Sequence, residues 1–159
     1  MKSNAARLIL RTYPVTVEIL TRYSDIDPQH RINNVAVAEF YQESRLGFHR
    51  ALNPSHAERP HGSRTLVAHH EMDYLSEIEY PGTVLVGVGV ARIGNSSYVL
   101  ASGMFQNERC VGLANTVLVH ANSAGPLAIP TPMRLLLEKQ RLPDEALITP
   151  PQNHRDQKQ

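Results

Sequence analysis

The sequence predicts an α+β fold, a five-stranded antiparallel sheet wrapped around one long central helix. Three observations carry this. The apolar period changes from two over residues 14–23 to three or four over residues 35–52. Four further strand-like segments follow. The links between them are short, which makes consecutive strands antiparallel neighbours.

In chain order, Val15, Val17 and Ile19 alternate with Thr16, Glu18 and Leu20, so residues 14–23 read as the first strand. Val37, Phe40 or Tyr41, Ser44, Phe48 and Ala51 or Leu52 then mark one face of a helix over 35–52. Such a helix spans about 26 Å at about 1.5 Å per residue. The asparagines just before it suit an N-cap. Residues 53–63 form a Pro/Gly/Ser-rich loop, and strands follow over 64–79, 83–93, 97–106 and 109–121. Tyr80-Pro81-Gly82, Gly94-Asn95-Ser96 and Asn107-Glu108 supply the turns. From residue 123 the chain is proline-rich with one short helix at 132–141. The predicted domain is 1–142, and 143–159 reads as a polar, disordered tail. A helix that is apolar over most of its surface needs a sheet to cover it.

The totals exclude several classes. The 159 residues suit one domain with a real core, and 42% apolar with 19% charged residues is ordinary for a globular protein. A net charge of +1 without a dense basic cluster gives nucleic-acid binding no electrostatic support. No run approaches the roughly 18 apolar residues of a membrane span. The Leu8–Leu10 patch is too short for a signal-peptide core, and the single cysteine, Cys110, forms no internal disulfide. The expected location is therefore the cytoplasm, with no membrane and no nucleic-acid partner.

Most chemical signatures fall away. His70-Glu71-Met72-Asp73-Tyr74 begins like a zinc-protease helix but lacks the second histidine and reads as strand. His69 and His70 point to opposite faces of that strand, one to the surface and one to the core. Gly87, Gly89 and Gly94 open no helix, so a dinucleotide loop is not expected. Cys110 has no evident base beside it.

What remains is RYSDIDPQHRINN, residues 22–34. Asp27 lies seven residues before Asn34, at the predicted helix start. A helix N-terminus offers free N–H groups and a positive dipole end. A carboxylate brought there beside a carbonyl-polarising N–H suits acyl transfer. Aspartates before a helix also cap it or make turns, so these residues by themselves leave both readings open.

The stretch RYSDIDPQHRINNVAVAEFYQESR resembles the entry motif of the 4-hydroxybenzoyl-CoA thioesterase-like (acyl-CoA thioester hydrolase) family of the hotdog superfamily. That pattern runs R-Y-x-D-x-D-x-x-G-H-V-N-N into a helix ending in E-x-x-R or E-x-R. Arg22, Asp25, Asp27, Asn33, Asn34, Glu43 and Arg45 match it. The segments HHEMDYLSEIEYPGTVLVGVGVARIGNSSYV and VGLANTVLVHANSAGPLAIPTPMR are similar to later strands and the exit of the same family, so the likeness covers about residues 14–135.

The resemblance implies a single-domain hotdog thioesterase acting on an acyl-CoA. It also implies a homodimer or homotetramer, with sites at the subunit interface. Asp27 would be the catalytic carboxylate, as nucleophile or as base toward water. The Asn34 N–H would polarise the thioester carbonyl, and Asn33 would cap or position the loop. No metal and no cofactor beyond the substrate's own CoA is implied. Arg92 and the Ser96-Ser97 turn are candidates for the CoA phosphates.

The departures from the pattern are specific. His30 stands at the frequent glycine, Arg31 at the frequent histidine, and Val37 where a tyrosine often follows the asparagines. Arg31 then has three possible roles: holding Asp27 ionised, pairing with a substrate carboxylate, or facing solvent. Glu43 is expected to make a structural ion pair near Arg45. DIDPQH also resembles the D-x-N-P-x-H motif of (R)-specific enoyl-CoA hydratases, in which Asp25 and His30 would work on water. A non-catalytic acyl-CoA-binding protein is the third reading.

Overall fold

The computed structural model describes residues 4–53 and 62–147. Two 3₁₀ turns, Ala5–Leu8 and Leu10–Thr12, lead into β1 (Val15–Leu20). A third turn (Tyr23–Asp25) precedes α1 (Asn34–Leu52). Then come β2 (Arg64–Tyr74), β3 (Thr83–Ile93), β4 (Ser97–Gln106), β5 (Arg109–Asn122), β6 (Gly125–Pro126), α2 (Thr131–Glu138) and α3 (Asp144–Leu147). The strands form one antiparallel sheet in the order β1-β3-β4-β5-β2, with β6 on β5. The class is α+β.

The valine alternation of β3 explains the layering. Val84, Val86, Val88 and Val90 are fully buried and share the main core with Phe40, Tyr41 and Phe48 of α1. The intervening residues face the other side of the sheet. There Tyr13, Phe105, Leu142 and Ala146 form a second cluster. Gly87 and Gly103 pair across β3 and β4, and a Cβ on either would stand 2.6 Å from Tyr13. The bare glycines are thus the seat of the Tyr13 ring. Arg7, buried in the first 3₁₀ turn, donates from Nη2 to the carbonyls of Ser102 (3.2 Å) and Ala114 (2.9 Å).

Several expected boundaries move. β1 stops at Leu20 because the Thr21 N–H and hydroxyl both turn to the Gly82 carbonyl. β2 stops at Tyr74 because Leu75 and Ser76 both donate to the Val111 carbonyl and leave the ladder. The count of five strands becomes six, since Gly125, at φ +130°, returns the chain so that Ala121 pairs with Pro126. The domain does not end at 142. Leu142 is buried, and α3 places Ala146 in the outer cluster. Residues 148–159 of the expected tail lie outside the described residues, as does most of the expected 53–63 loop.

Candidate active site

The polar stretch 22–34 folds into two linked turns. In the first, the Asp25 carboxylate, 3% exposed, accepts from the Arg22 N–H (2.8 Å) and from Arg22 Nη2 (2.8 Å) and Nε (3.1 Å). Burial pushes this carboxyl up, but the Arg22 hydrogen bonds and charge outweigh it and hold it below its ordinary range. The Asp25 carbonyl accepts from the Asn33 backbone (2.8 Å) and from Asn33 Nδ2 (2.8 Å). Asn33 Oδ1 in turn accepts from the Ala36 N–H at 2.8 Å, capping α1. Asp25 and Asn33 therefore fix the loop to the helix start.

In the second turn, Ile26 bridges to Ile32 and the Asp27 N–H donates to the Arg31 carbonyl (2.8 Å). His30 closes this hairpin at φ 60°, with its N–H on the Asp27 carbonyl (2.9 Å). That left-handed conformation is where glycine fits best, which accounts for the glycine of the resembling pattern. Asp27 Oδ1 accepts from the backbone N–H groups of Gln29 (2.8 Å) and Arg31 (3.1 Å). Its Oδ2 makes no such bond and lies 3.9 Å from Arg31 Nε. Arg31 also pairs through Nη1 with Glu77 and through Nη2 with Gln29. The Glu77 contact raises its pKa further. Arg31 thus sits between Asp27 and Glu77, and the Glu77 pair is outside its three expected roles.

A cavity of about 300 Å³ opens beside this hairpin. Asp27, Arg31 and Asn34, the first residue of α1, line one side. The rest of the lining includes Tyr74 to Ile78 with Met104, Val111 and Gly112. An α-helix leaves its first N–H groups without intrahelical acceptors. The cavity thus joins a partly exposed carboxylate to a helix N-terminus, the arrangement acyl transfer needs. Sequence reading missed the Tyr74 to Ile78 part of the lining, and in particular Ser76, whose Oγ is buried in the cavity lining without a hydrogen-bond partner. No local motif marks that serine.

The other expected site residues lie elsewhere. Asp25 is spent on Arg22, and His30 is exposed. The Asp25/His30 pair is therefore not assembled around the cavity. Arg92 is exposed on β3, and Ser96 and Ser97 sit in the β3–β4 hairpin. None of the three lines the cavity. Glu43 is exposed on α1, and no ion pair near Arg45 is found among the described residues, a correction to the expected buried pair. His69 is exposed and His70 is core-side, as the strand reading expects. Among the described residues, no group of three or more His, Cys, Asp or Glu is placed to hold a metal ion. No helix among them is long and apolar enough to cross a membrane.

No family model and no curated protein matches this sequence. Solved structures do. A thioesterase from Thermus thermophilus, complexed with coenzyme A and zinc, is 26% identical, covering 81% of this chain and 95% of its own, with TM-score 0.72. A predicted thioesterase from Bacillus stearothermophilus is also 26% identical, covering 79% and 95%, with TM-score 0.71. A Pseudomonas aeruginosa protein whose name states no activity is 25% identical over 86% and 97%, with TM-score 0.74. This chain thus has the fold of proteins named thioesterases.

Proposed function

We propose that this protein is a hotdog-type thioesterase hydrolysing an acyl-CoA to free acid and CoA. The observation that carries the proposal is the cavity uniting Asp27 with Asn34 at the start of α1. The likeness to a thioesterase complexed with coenzyme A supports the substrate class.

In this reading the thioester carbonyl sits against the N-terminus of α1, where the Asn34 N–H polarises it. Oδ1 of Asp27 is held by two backbone N–H groups, which leaves Oδ2 as the reacting oxygen. Either Oδ2 attacks the carbonyl carbon and water cleaves the resulting anhydride, or Oδ2 takes a proton from the attacking water. On both routes the C–S bond breaks, the acid keeps the water oxygen and the thiolate is protonated. Arg31 Nε lies 3.9 Å from that oxygen, while Arg92, Ser96 and Ser97 are left as surface contacts for CoA. Among the described residues β2 is an edge strand, and its exposed Leu66 and Val67 support a homodimer joined there.

The test is free-thiol release from a panel of acyl-CoAs, with Asp27→Asn alongside. That variant is expected to lose at least about 100-fold in kcat. Full activity in Asp27→Asn overturns the assignment, and crotonyl-CoA hydration abolished by His30→Ala returns the hydratase reading.

A further inference from the structure

Against the cavity lining stands a second polar cluster that hydrolysis as proposed does not use. Tyr41 and Arg45 are one turn apart on α1, and His70 faces them from β2. The Tyr41 and His70 rings meet edge to face with centroids 6.0 Å apart. Tyr41 is 1% exposed. Tyr41 Oη, Arg45 Nη1 and His70 Nε2 are all shielded from solvent, and none has a hydrogen-bond partner. One such atom is an ordinary exception, but three on neighbouring residues call for an occupant.

The chemistry of that occupant follows from the donors. Thr116 lies opposite His70 in the sheet, and its hydroxyl is 2.8 Å from His70 Nδ1. With that hydroxyl donating to Nδ1, the ring proton sits on Nε2. Arg45 N–H and His70 Nε2 are then donors, while Tyr41 Oη can donate or accept, so the cluster's one permanent charge is the Arg45 cation. Arg31 has its charge answered by Asp27 and Glu77, whereas Arg45 is in no ion pair found among the described residues. Its burial lowers its pKa, and the Arg45 charge adds to burial in lowering that of His70. An anionic acceptor relieves all three groups at once.

The cluster also adjoins the candidate active site. Gly112 lines the cavity, and a Cβ there would stand 2.8 Å from Tyr41 Oη. Val37, one turn before Tyr41 on α1, lines the cavity too, so the hydroxyl stands directly against the cavity lining.

We propose that Tyr41, Arg45 and His70 form the distal end of the acyl site and bind a carboxylate carried by the acyl group. The substrates would then be monothioesters of dicarboxylic acids. This rests on the thioesterase reading, so its test has a binding arm that needs no turnover.

In the first arm the full-length protein is titrated with free dicarboxylates of four to ten carbons and with matched monocarboxylates, following the His70 ring by NMR. Dicarboxylates are expected to shift His70 saturably, and Arg45→Met to abolish the shift. In the second arm, kcat/KM is compared for CoA esters of the same acids. The ω-carboxyl ester is expected to be favoured by at least about tenfold. That ratio falls toward one in Arg45→Met and in Tyr41→Phe and is partly kept in Arg45→Lys, with thermal melts confirming that each variant folds.

A shifted His70 without hydrolysis of any ester keeps the carboxylate site and overturns the thioesterase reading. Hydrolysis with no preference and an unmoved His70 keeps the thioesterase and overturns the site, whose occupant is then an ordered water.

Discussion

Asp25 and Asp27 are two residues apart and have opposite surroundings. Asp25 is buried under Arg22, and its carboxylate oxygens are satisfied locally. Asp27 has one oxygen fixed by backbone N–H groups and one turned toward Arg31 at the cavity. Conservative substitutions should separate them. Asp25→Asn loses the charge-assisted bonds to Arg22 and is expected to lower stability by about 2 kcal/mol. Asp27→Asn keeps an Oδ1 acceptor for the Gln29 and Arg31 N–H groups. Its melting temperature should stay within a few degrees while thioester hydrolysis collapses. Urea unfolding and initial rates on both variants check this. His30, at φ 60°, gives a third test. His30→Gly removes the left-handed penalty and adds backbone entropy to the unfolded chain, for a net gain of about 0.5 kcal/mol by urea midpoint.

At the scale of elements, α1 begins where it does because Asn33 caps it. Asn33→Ala removes the acceptor for Ala36 and the donor to the Asp25 carbonyl. The expected loss is about 1–2 kcal/mol, with weaker catalysis because the Asn34 N–H is no longer held. Circular dichroism melts and kcat measure the two effects. β3 and β4 depend on the Gly87–Gly103 pair under Tyr13. A Cβ at Gly87 meets ring and backbone-proximal atoms of Tyr13 and no flexible side-chain tip. Gly87→Ala is therefore expected to cost more than about 1 kcal/mol, by displacing Tyr13 from the sheet. Tyr13→Leu in the same background should recover part of it.

At the scale of the whole molecule, His70 and Asp25 both contribute to the response to acid. His70 is held below its ordinary value of 6.5, first by burial and then by the Arg45 charge. Such a group contributes stability that is complete above about pH 6.5 and is lost as pH falls, because the unfolded chain takes up the proton first. Asp25, held below 3.8, does the same at more acid pH. Urea midpoints should thus begin to fall below about pH 6.5, and His70→Gln should flatten that first step relative to the wild type. Assembly belongs to this scale too. Light scattering is expected to give a dimer, and Val67→Lys on the free β2 edge to give monomer.

Much of the local structure is legible along the chain because its causes are local. The period change located β1 and α1, and the valine alternation gave β3 its bounds. Asn33 is a cap by residue type. The spacing of Asp27 from the helix start allowed the loop to fold back toward it, and the left-handed turn at His30 emerged only in the structure. Strand ends, β6 and α3 were missed because they depend on hydrogen bonds and burial contributed by distant segments.

The sequence by itself determined the α+β class and set Asp27 seven residues before a helix start, since periodicity, capping and turn chemistry act over a few residues. Only the tertiary structure decided which aspartate is free, by seating Arg22 on Asp25. It alone brought Ser76 and Gly112 into one cavity lining with Asp27, and Tyr41 against His70. Those contacts follow from sheet register and from how α1 lies on the strands, which no local pattern encodes.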